Sequence, residues 1–316
     1  MDETYAESHL RARAGPDPAP RHGARAGPVF AIVSTVTPPA SAATAAGPGA
    51  APNPGAAPAP VRWRSLVSPP LPGAANMAWD QALMARARRT GEAVLRVYAW
   101  AQPTLSLGRN QRARGAYDLD RAAARGVAIV RRPTGGRALL HHHEVTYSVT
   151  APEAFDPTLR GAYTRINDLL LRALRALGVD AELARPAGRT LAPGLAPCFD
   201  EPSAGEVVVG GRKLVGSAQW RHDGALLQHG SILRRDDQGL IGALMVRPPS
   251  APTPAAATLE GALGADPGFD PVARALLDAL GAAAPGVTPL DEDDALRADV
   301  AAWTRTFLGE DWTWRR

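Results

Sequence analysis

The sequence predicts an α+β fold of largely antiparallel strands flanked by helices, closing with a small helical C-terminal region. Three observations predict it. Apolar residues recur at helical spacing in two segments, around Trp79–Ala87 and over Ala162–Leu177. Short runs rich in Val, Leu, Ile and Thr, bounded by Gly, Pro and Asn, read as strands. The Gly210-Gly211 pair joins two such runs too closely for a parallel crossover, so those strands run antiparallel.

In chain order, residues 1–60 are rich in Ala, Pro and Gly, with no periodicity that could bury a face. They read as a disordered tail or a misplaced start of translation. A transit peptide fits less well, because Asp2, Glu3 and Glu7 put acid where such peptides avoid it. Folded sequence is expected from Val61-Arg62-Trp63 onward. Asn76 is a candidate cap for a helix whose Trp79, Leu83, Met84 and Ala87 share a face, ending before Gly91. Strands are expected at Val94–Trp100, Thr104–Leu107, Val127–Arg131 and Val145–Thr150. The helix over Ala162–Leu177 should turn Ile166, Leu169, Leu170, Leu174 and Leu177 inward. A Pro/Gly-rich loop, Arg185–Gly205, carries Cys198. Glu206–Val209, the Gly210-Gly211 turn and Lys213–Trp220 read as a hairpin, with Ala225–Leu233 as a further strand. This organisation divides the chain into a tail (1–60), a folded body (61–246), a connector (247–269) and an appended helical region (270–316).

Composition excludes several classes. A formal net charge of +4 over 316 residues, spread as scattered Arg, does not make a dedicated nucleic-acid binder, although a mildly basic face suits an acidic protein partner. The longest early apolar run, Val29–Val36, is too short to span a bilayer, so no membrane segment is expected. One cysteine cannot form an intramolecular disulfide, and a reducing cytoplasm is the expected location. The 35 Lys and Arg side chains include a single lysine, Lys213. Where arginine has replaced lysine nearly everywhere, the survivor either marks a position that needs a compact ammonium rather than a planar guanidinium or is one lysine left by chance.

Four segments could carry chemistry. In Arg131-Arg132-Pro133-Thr134-Gly135-Gly136-Arg137, paired glycines let the backbone approach a ligand closely, and Thr134 adds a hydroxyl; a plain tight turn has the same composition. His141-His142-His143-Glu144 invites a metal, but consecutive strand residues point to opposite faces, so no metal site is expected; His141 is taken as the inward histidine. Cys198 lies in a loop rather than a core element, and the acids after it, Asp200 and Glu201, disfavour a thiolate whose free pKa is about 8.5. Activation must then come from a cation across space, for which Lys213 is the candidate. In Gly211–Gln219, strand alternation puts Lys213, Val215, Ser217 and Gln219 on one face, with His229-Gly230-Ser231 on the pairing strand.

Taken together, Arg131–Ala138 with His141 and Val145–Ser148, and Gly211–Gln219 with Gln228–Ser231, resemble the signatures of the biotin/lipoate protein ligase family. Trp63, Gly73–Asp80 and Thr104–Gln111 extend the likeness over about residues 61–245. The loop Cys198-Phe199-Asp200 with Pro202-Ser203 is similar to the octanoyltransferase branch, as is Arg137 where ligases commonly carry a third glycine; Ala204-Gly205 depart from that branch's loop. The resemblance implies a mixed, mostly antiparallel sheet flanked by helices. It also implies transfer of octanoate from octanoyl-acyl carrier protein to a lysine of a lipoyl-domain protein such as glycine-cleavage H protein, without a cofactor. Cys198 and Lys213 would be catalytic, with Arg132, Thr134, Gly135, Gly136, Arg137, His141, Ser217, Gln219, His229 and Gly230 lining the substrate site. The alternatives are an ATP- and Mg-dependent lipoate ligase, in which Cys198 has no catalytic role, an amidotransferase between lipoyl domains, and a non-catalytic acyl-binding protein.

Overall fold

The structure, a computed structural model of the chain, describes residues 61–184, 205–250 and 254–316. In chain order the first half comprises β1 (Trp63–Val67), α1 (Gly73–Thr90), β2 (Ala93–Tyr98), β3 (Thr104–Leu107), α2 (Leu119–Ala124), β4 (Ala128–Arg131), β5 (Leu139–His141), β6 (Glu144–Pro152) and α3 (Leu159–Ala176). It continues with β7 (Glu182–Leu183), β8 (Val207–Val209), β9 (Arg212–Lys213), β10 (Val215–His222), β11 (Ala225–Leu233), α4 (Leu240–Leu244), α5 (Leu259–Leu263), α6 (Phe269–Ala283), β12 (Thr288–Pro289), α7 (Asp294–Leu308) and α8 (Glu310–Thr313).

A six-stranded sheet in the order β10-β11-β6-β2-β1-β12 forms the centre. Its β10, β11, β6 and β2 pair antiparallel, whereas β1 runs parallel to both β2 and β12. Small sheets β4-β3-β5 and β7-β8-β9 flank it, so the α+β expectation of a mixed, mostly antiparallel sheet holds. On one face Leu95, Val97, Tyr147 and Val149 meet Ile166, Leu170 and Leu174 of α3 and Val272 and Leu276 of α6 in the largest apolar cluster. On the other face α1 lies across β6 and β11, with α7 outside it. Central strands are covered on both sides, which is why Ala93–Tyr98 is buried throughout.

Three expectations require correction. Asn76 does not cap α1: the helix starts at Gly73 behind Pro72, and the Asn76 amide, fully buried, donates to the carbonyls of Leu71 and Ala99 at 3.1 Å each. A tertiary demand has claimed a residue whose local preference is for a cap. The strand expected over Lys213–Trp220 breaks at Leu214, with Lys213 in the small sheet and Val215 onward in the large one. Nor is the C-terminal region an appendage behind a connector. Ala257 and Leu259 are buried in the main cluster, α6 packs on α3, and β12 joins the central sheet, all within one compact unit. Their apolar faces had to be covered, and the central sheet supplied the surface. No helix among the described residues is long and apolar enough to cross a membrane.

Candidate active site

Between β4 and β5 the chain makes the Arg132–Arg137 turn beside Gly108. A side chain at Gly108 would run into the Gly136 carbonyl, and Gly136 has φ 94°, a backbone only glycine adopts without strain. Arg132, buried, braces the turn: its guanidinium donates to the Gly135 carbonyl at 2.9 Å, the Arg137 carbonyl at 2.6 Å and the Ser106 hydroxyl at 3.0 Å. Next to this turn lies a cavity of about 40 Å³ lined by Met77, Tyr98, Trp100, Leu139, His141, His229 and Gly230 among others. It has room for a few waters. Gly230 is needed here as well, since a Cβ would press on Tyr147 and on the Gly216 carbonyl at 2.7 Å.

Two carboxylate–histidine–hydroxyl chains frame the cavity. In the first, Asp80 of α1 accepts from His229 Nδ1 at 2.8 Å, and His229 Nε2 meets the Thr134 hydroxyl at 2.6 Å. Asp80 is held in turn by Arg96 at 3.2 Å and by the Tyr98 hydroxyl at 3.2 Å. Burial pushes the Asp80 carboxyl upward, but the hydrogen bond and charge of His229 and the Arg96 guanidinium outweigh it and hold the group below the usual range. In the second chain, Glu144 bonds His141 Nδ1 at 2.7 Å, and His141 Nε2 meets Ser106 Oγ at 2.7 Å. The His141 ring stacks on Trp100 with centroids 3.8 Å apart.

Burial lowers the His141 pKa below its ordinary 6.5, although the Glu144 carboxylate pulls the other way. The unfolded chain therefore binds the proton more tightly, so the stability His141 contributes is present above pH 6.5 and lost on acidification toward its folded value. Thermal melts between pH 5 and 7 are expected to rise more steeply with pH in the wild type than in His141→Gln. Parallel curves would show that His141 does not set the slope.

Lys213 lies 3% exposed at the end of β9, its Nζ 2.7 Å from the Glu206 carboxylate. The two ends of segment 185–204 meet at this pair: Ala184 N–H donates to the Glu206 carbonyl at 2.7 Å and Gly205 N–H to the Ala184 carbonyl at 2.9 Å. Cys198 itself lies outside the described residues. The chain carrying it therefore leaves and re-enters the fold next to Lys213.

The structure separates the other candidates. Arg132, Gly136, His141, His229 and Gly230 border the cavity, with Thr134 bonded to His229 just behind it. Gly135 and Arg137 lie on the turn and offer their carbonyls to Arg132. Of the face expected for Lys213, Val215, Ser217 and Gln219, the last three share the α3 side of β10, while the break at Leu214 puts Lys213 in the small sheet. Val215 enters the apolar cluster, the Ser217 hydroxyl meets the Tyr147 hydroxyl at 2.7 Å, and the amides of Gln219 and Gln228 lie 2.8 Å apart. In register Ser217, Gly230 and Tyr147 align across the sheet on its α3 face, so the Ser217 side chain lies opposite His229 although its residue borders the cavity. The premise used against a metal also fails in part. His142 and His143 form the bend between β5 and β6 rather than strand, so alternation does not separate them.

Sequence reasoning missed Asp80, Arg96, Ser106 and Glu206 as members of the site. One signal was available: Arg96 interrupts the apolar run Ala93–Tyr98, and a charge within a buried strand requires a partner.

The sequence pattern of the lipoyl protein ligase A/B catalytic domain matches residues 72–281. An octanoyltransferase LipM of Kyrpidia tusciae is 51% identical over 180 residues, 54% of this chain and 65% of that protein. One of Symbiobacterium thermophilum is 44% identical over 196 residues, 60% of this chain and 72% of that protein. The chain thus spans about two-thirds of the length of these relatives. A crystal structure of lipoate-protein ligase A bound with ATP superposes with a TM-score of 0.66 at 22% identity, covering 80% of this chain and 99% of that one, a likeness of fold.

Proposed function

The chain belongs to the lipoyl protein ligase A/B catalytic domain family, and from that premise we propose that it is a cytoplasmic octanoyltransferase working through a thioester on Cys198. The donor is octanoyl-acyl carrier protein, and the acceptor is a lysine of a lipoyl-domain protein such as glycine-cleavage H protein. The observation that carries this reading is the Lys213–Glu206 pair, 2.7 Å apart, at the foot of the segment that holds the chain's one cysteine.

The Cys198 thiolate attacks the donor's thioester carbonyl, forming a new C–S bond while the carrier's thiolate leaves and takes up a proton. The acceptor amine then attacks the Cys198 thioester, an amide forms, the amine gives up a proton, and the Cys198 thiolate departs. Both steps develop negative charge on the carbonyl oxygen, and the Lys213 ammonium is the nearby cation suited to stabilise the thiolate and then that oxygen. The cavity between Met77, Trp100 and Leu139 receives the acyl chain, each buried methylene contributing about 0.8 kcal/mol. Seating eight carbons requires side chains to move aside, for which the unbranched Met77 is suited.

Intact-mass measurement after mixing the protein with octanoyl-acyl carrier protein, in the absence of ATP, should reveal one octanoyl adduct on Cys198. Its absence would remove the relay. In Lys213→Arg the charge is kept and the compact ammonium is replaced by a fork, in a site 3% exposed. The rate of transfer to the acceptor is expected to fall roughly 10²–10³-fold, the size seen when one oxyanion-stabilising group is removed. A rate within a few fold of wild type would take Lys213 out of the chemistry.

A further inference from the structure

Beyond the acyl site, the bend between β5 and β6 faces the segment that follows β11, and three metal-binding side chains converge between them. His142 Nδ1 lies 2.7 Å from Asp237 Oδ2, the His142 and His143 rings sit with centroids 3.6 Å apart, and one ligand atom from each of the three residues lies within 4.8 Å of the others. The other Asp237 oxygen, Oδ1, is buried and has no hydrogen-bond partner among the described residues. A carboxylate that meets an imidazole through one oxygen and leaves the other unanswered carries a deficit of positive charge that a cation would fill.

The two segments are already locked in register by contacts that do not use the ligand atoms. The His143 carbonyl accepts from the backbone N–H of Arg234 at 2.9 Å and of Arg235 at 3.2 Å. Gln238, buried, accepts from Leu140 N–H at 3.1 Å and donates to the Leu140 carbonyl at 2.7 Å. We infer that His142, His143 and Asp237 form a binding site for a single transition-metal ion of the zinc(II) or cobalt(II) class, which clamps the β5–β6 bend to the segment after β11. Two imidazoles and a carboxylate are the donor set of such ions, whereas calcium and magnesium require oxygen ligands.

Metal–ligand bonds of about 2.0–2.2 Å in a tetrahedron put ligand atoms about 3.3 Å apart, so His142 Nδ1 and Asp237 Oδ2 must part from 2.7 Å while the more distant ligand atoms, within 4.8 Å, close up. The ion takes the place of the proton shared by His142 and Asp237. It also displaces one contact, the Arg235 Nη2 that lies 3.2 Å from His143 Nδ1. Arg235 keeps its ion pair with Asp266 at 3.4 Å when that contact is given up. With three protein ligands, a water completes the coordination.

The test uses the full, untagged chain carrying Cys198→Ser, so that the thiol cannot ligate, after stripping with a chelator. Zinc(II) is titrated calorimetrically and cobalt(II) by its visible absorption. The expected result is one ion per chain and a melting temperature that rises with zinc concentration. His143→Ala and Asp237→Asn should each weaken binding about tenfold or more, comparable to losing a supporting group in known metal sites. Arg235→Ala, which removes the competing guanidinium and no ligand, should bind at least as tightly as its parent. Absence of binding at submillimolar zinc and cobalt overturns the site, and so does an affinity that His143→Ala and Asp237→Asn leave unchanged.

Discussion

Cys198→Ser is expected to lower octanoyl transfer roughly 10⁴-fold or more, the scale on which enzymes lose rate when a covalent nucleophile is removed. Passing an acyl group between two thioesters exchanges one C–S bond for another of nearly the same energy, so the relay is set by access and by the thiolate fraction. A serine hydroxyl is almost wholly protonated at neutral pH, and its oxyester gives up an acyl group to an amine far more slowly than a thioester. The readout is the octanoyl mass on the acceptor lysine over time, with ATP omitted. Wild-type rates in Cys198→Ser would remove the cysteine from the mechanism. Acceptor modification by Cys198→Ser that appears only when free octanoate and ATP are added would instead turn the reading toward ligation on the same pocket.

Asp80→Ala is expected to cost about 3–5 kcal/mol of folding stability, the range for removing one partner of a buried ion pair. Asp80 and Arg96 both have fully buried side chains, and the same carboxylate meets His229 and Tyr98. Its removal leaves the Arg96 charge with the Asn76 and Ser68 oxygens and the Tyr98 and Trp79 rings, none of them an opposite charge, and releases His229 from α1. Urea denaturation should show the loss as a lower midpoint, and Asp80→Asn, which keeps an acceptor, should fall between. Because the Asp80 carboxyl is held below its ordinary value of 3.8, the stability it adds is complete above that pH. It is lost only as the pH falls through the lower folded value. An Asp80→Ala midpoint within error of the wild type would mean that Arg96 finds a partner elsewhere.

Local interactions made parts of the fold legible in the sequence, and long-range ones hid the rest. Strand β3 at Thr104–Leu107, strand β11 at Ala225–Leu233 and the helix end before Gly91 were all legible, because alternation, apolar period and a left-handed glycine are local properties. The Gly210-Gly211 turn was legible for the same reason, with φ of 54° and 73°. What escaped was settled over distance. Asn76 carried a cap's composition but is spent on Arg96 and on the Leu71 and Ala99 carbonyls. The break at Leu214 follows from the chain leaving one sheet for another, and no period in Lys213–Trp220 announces it.

The site divides in the same way. Residue identities along the chain determined that this protein carries a Thr-Gly-Gly turn, one lysine in a Gly-Arg-Lys segment and one cysteine in a Pro/Gly loop; with the resemblance they pointed to acyl transfer. Tertiary structure alone decided which carboxylate each of these meets: Glu206 for Lys213, Asp80 for His229 and, through it, Thr134, and Glu144 with Ser106 for His141. A side chain's chemistry is written in its own residue. Its partner is chosen by burial, which forces each charge taken out of water to find an opposite charge or a hydrogen bond wherever the fold brings one.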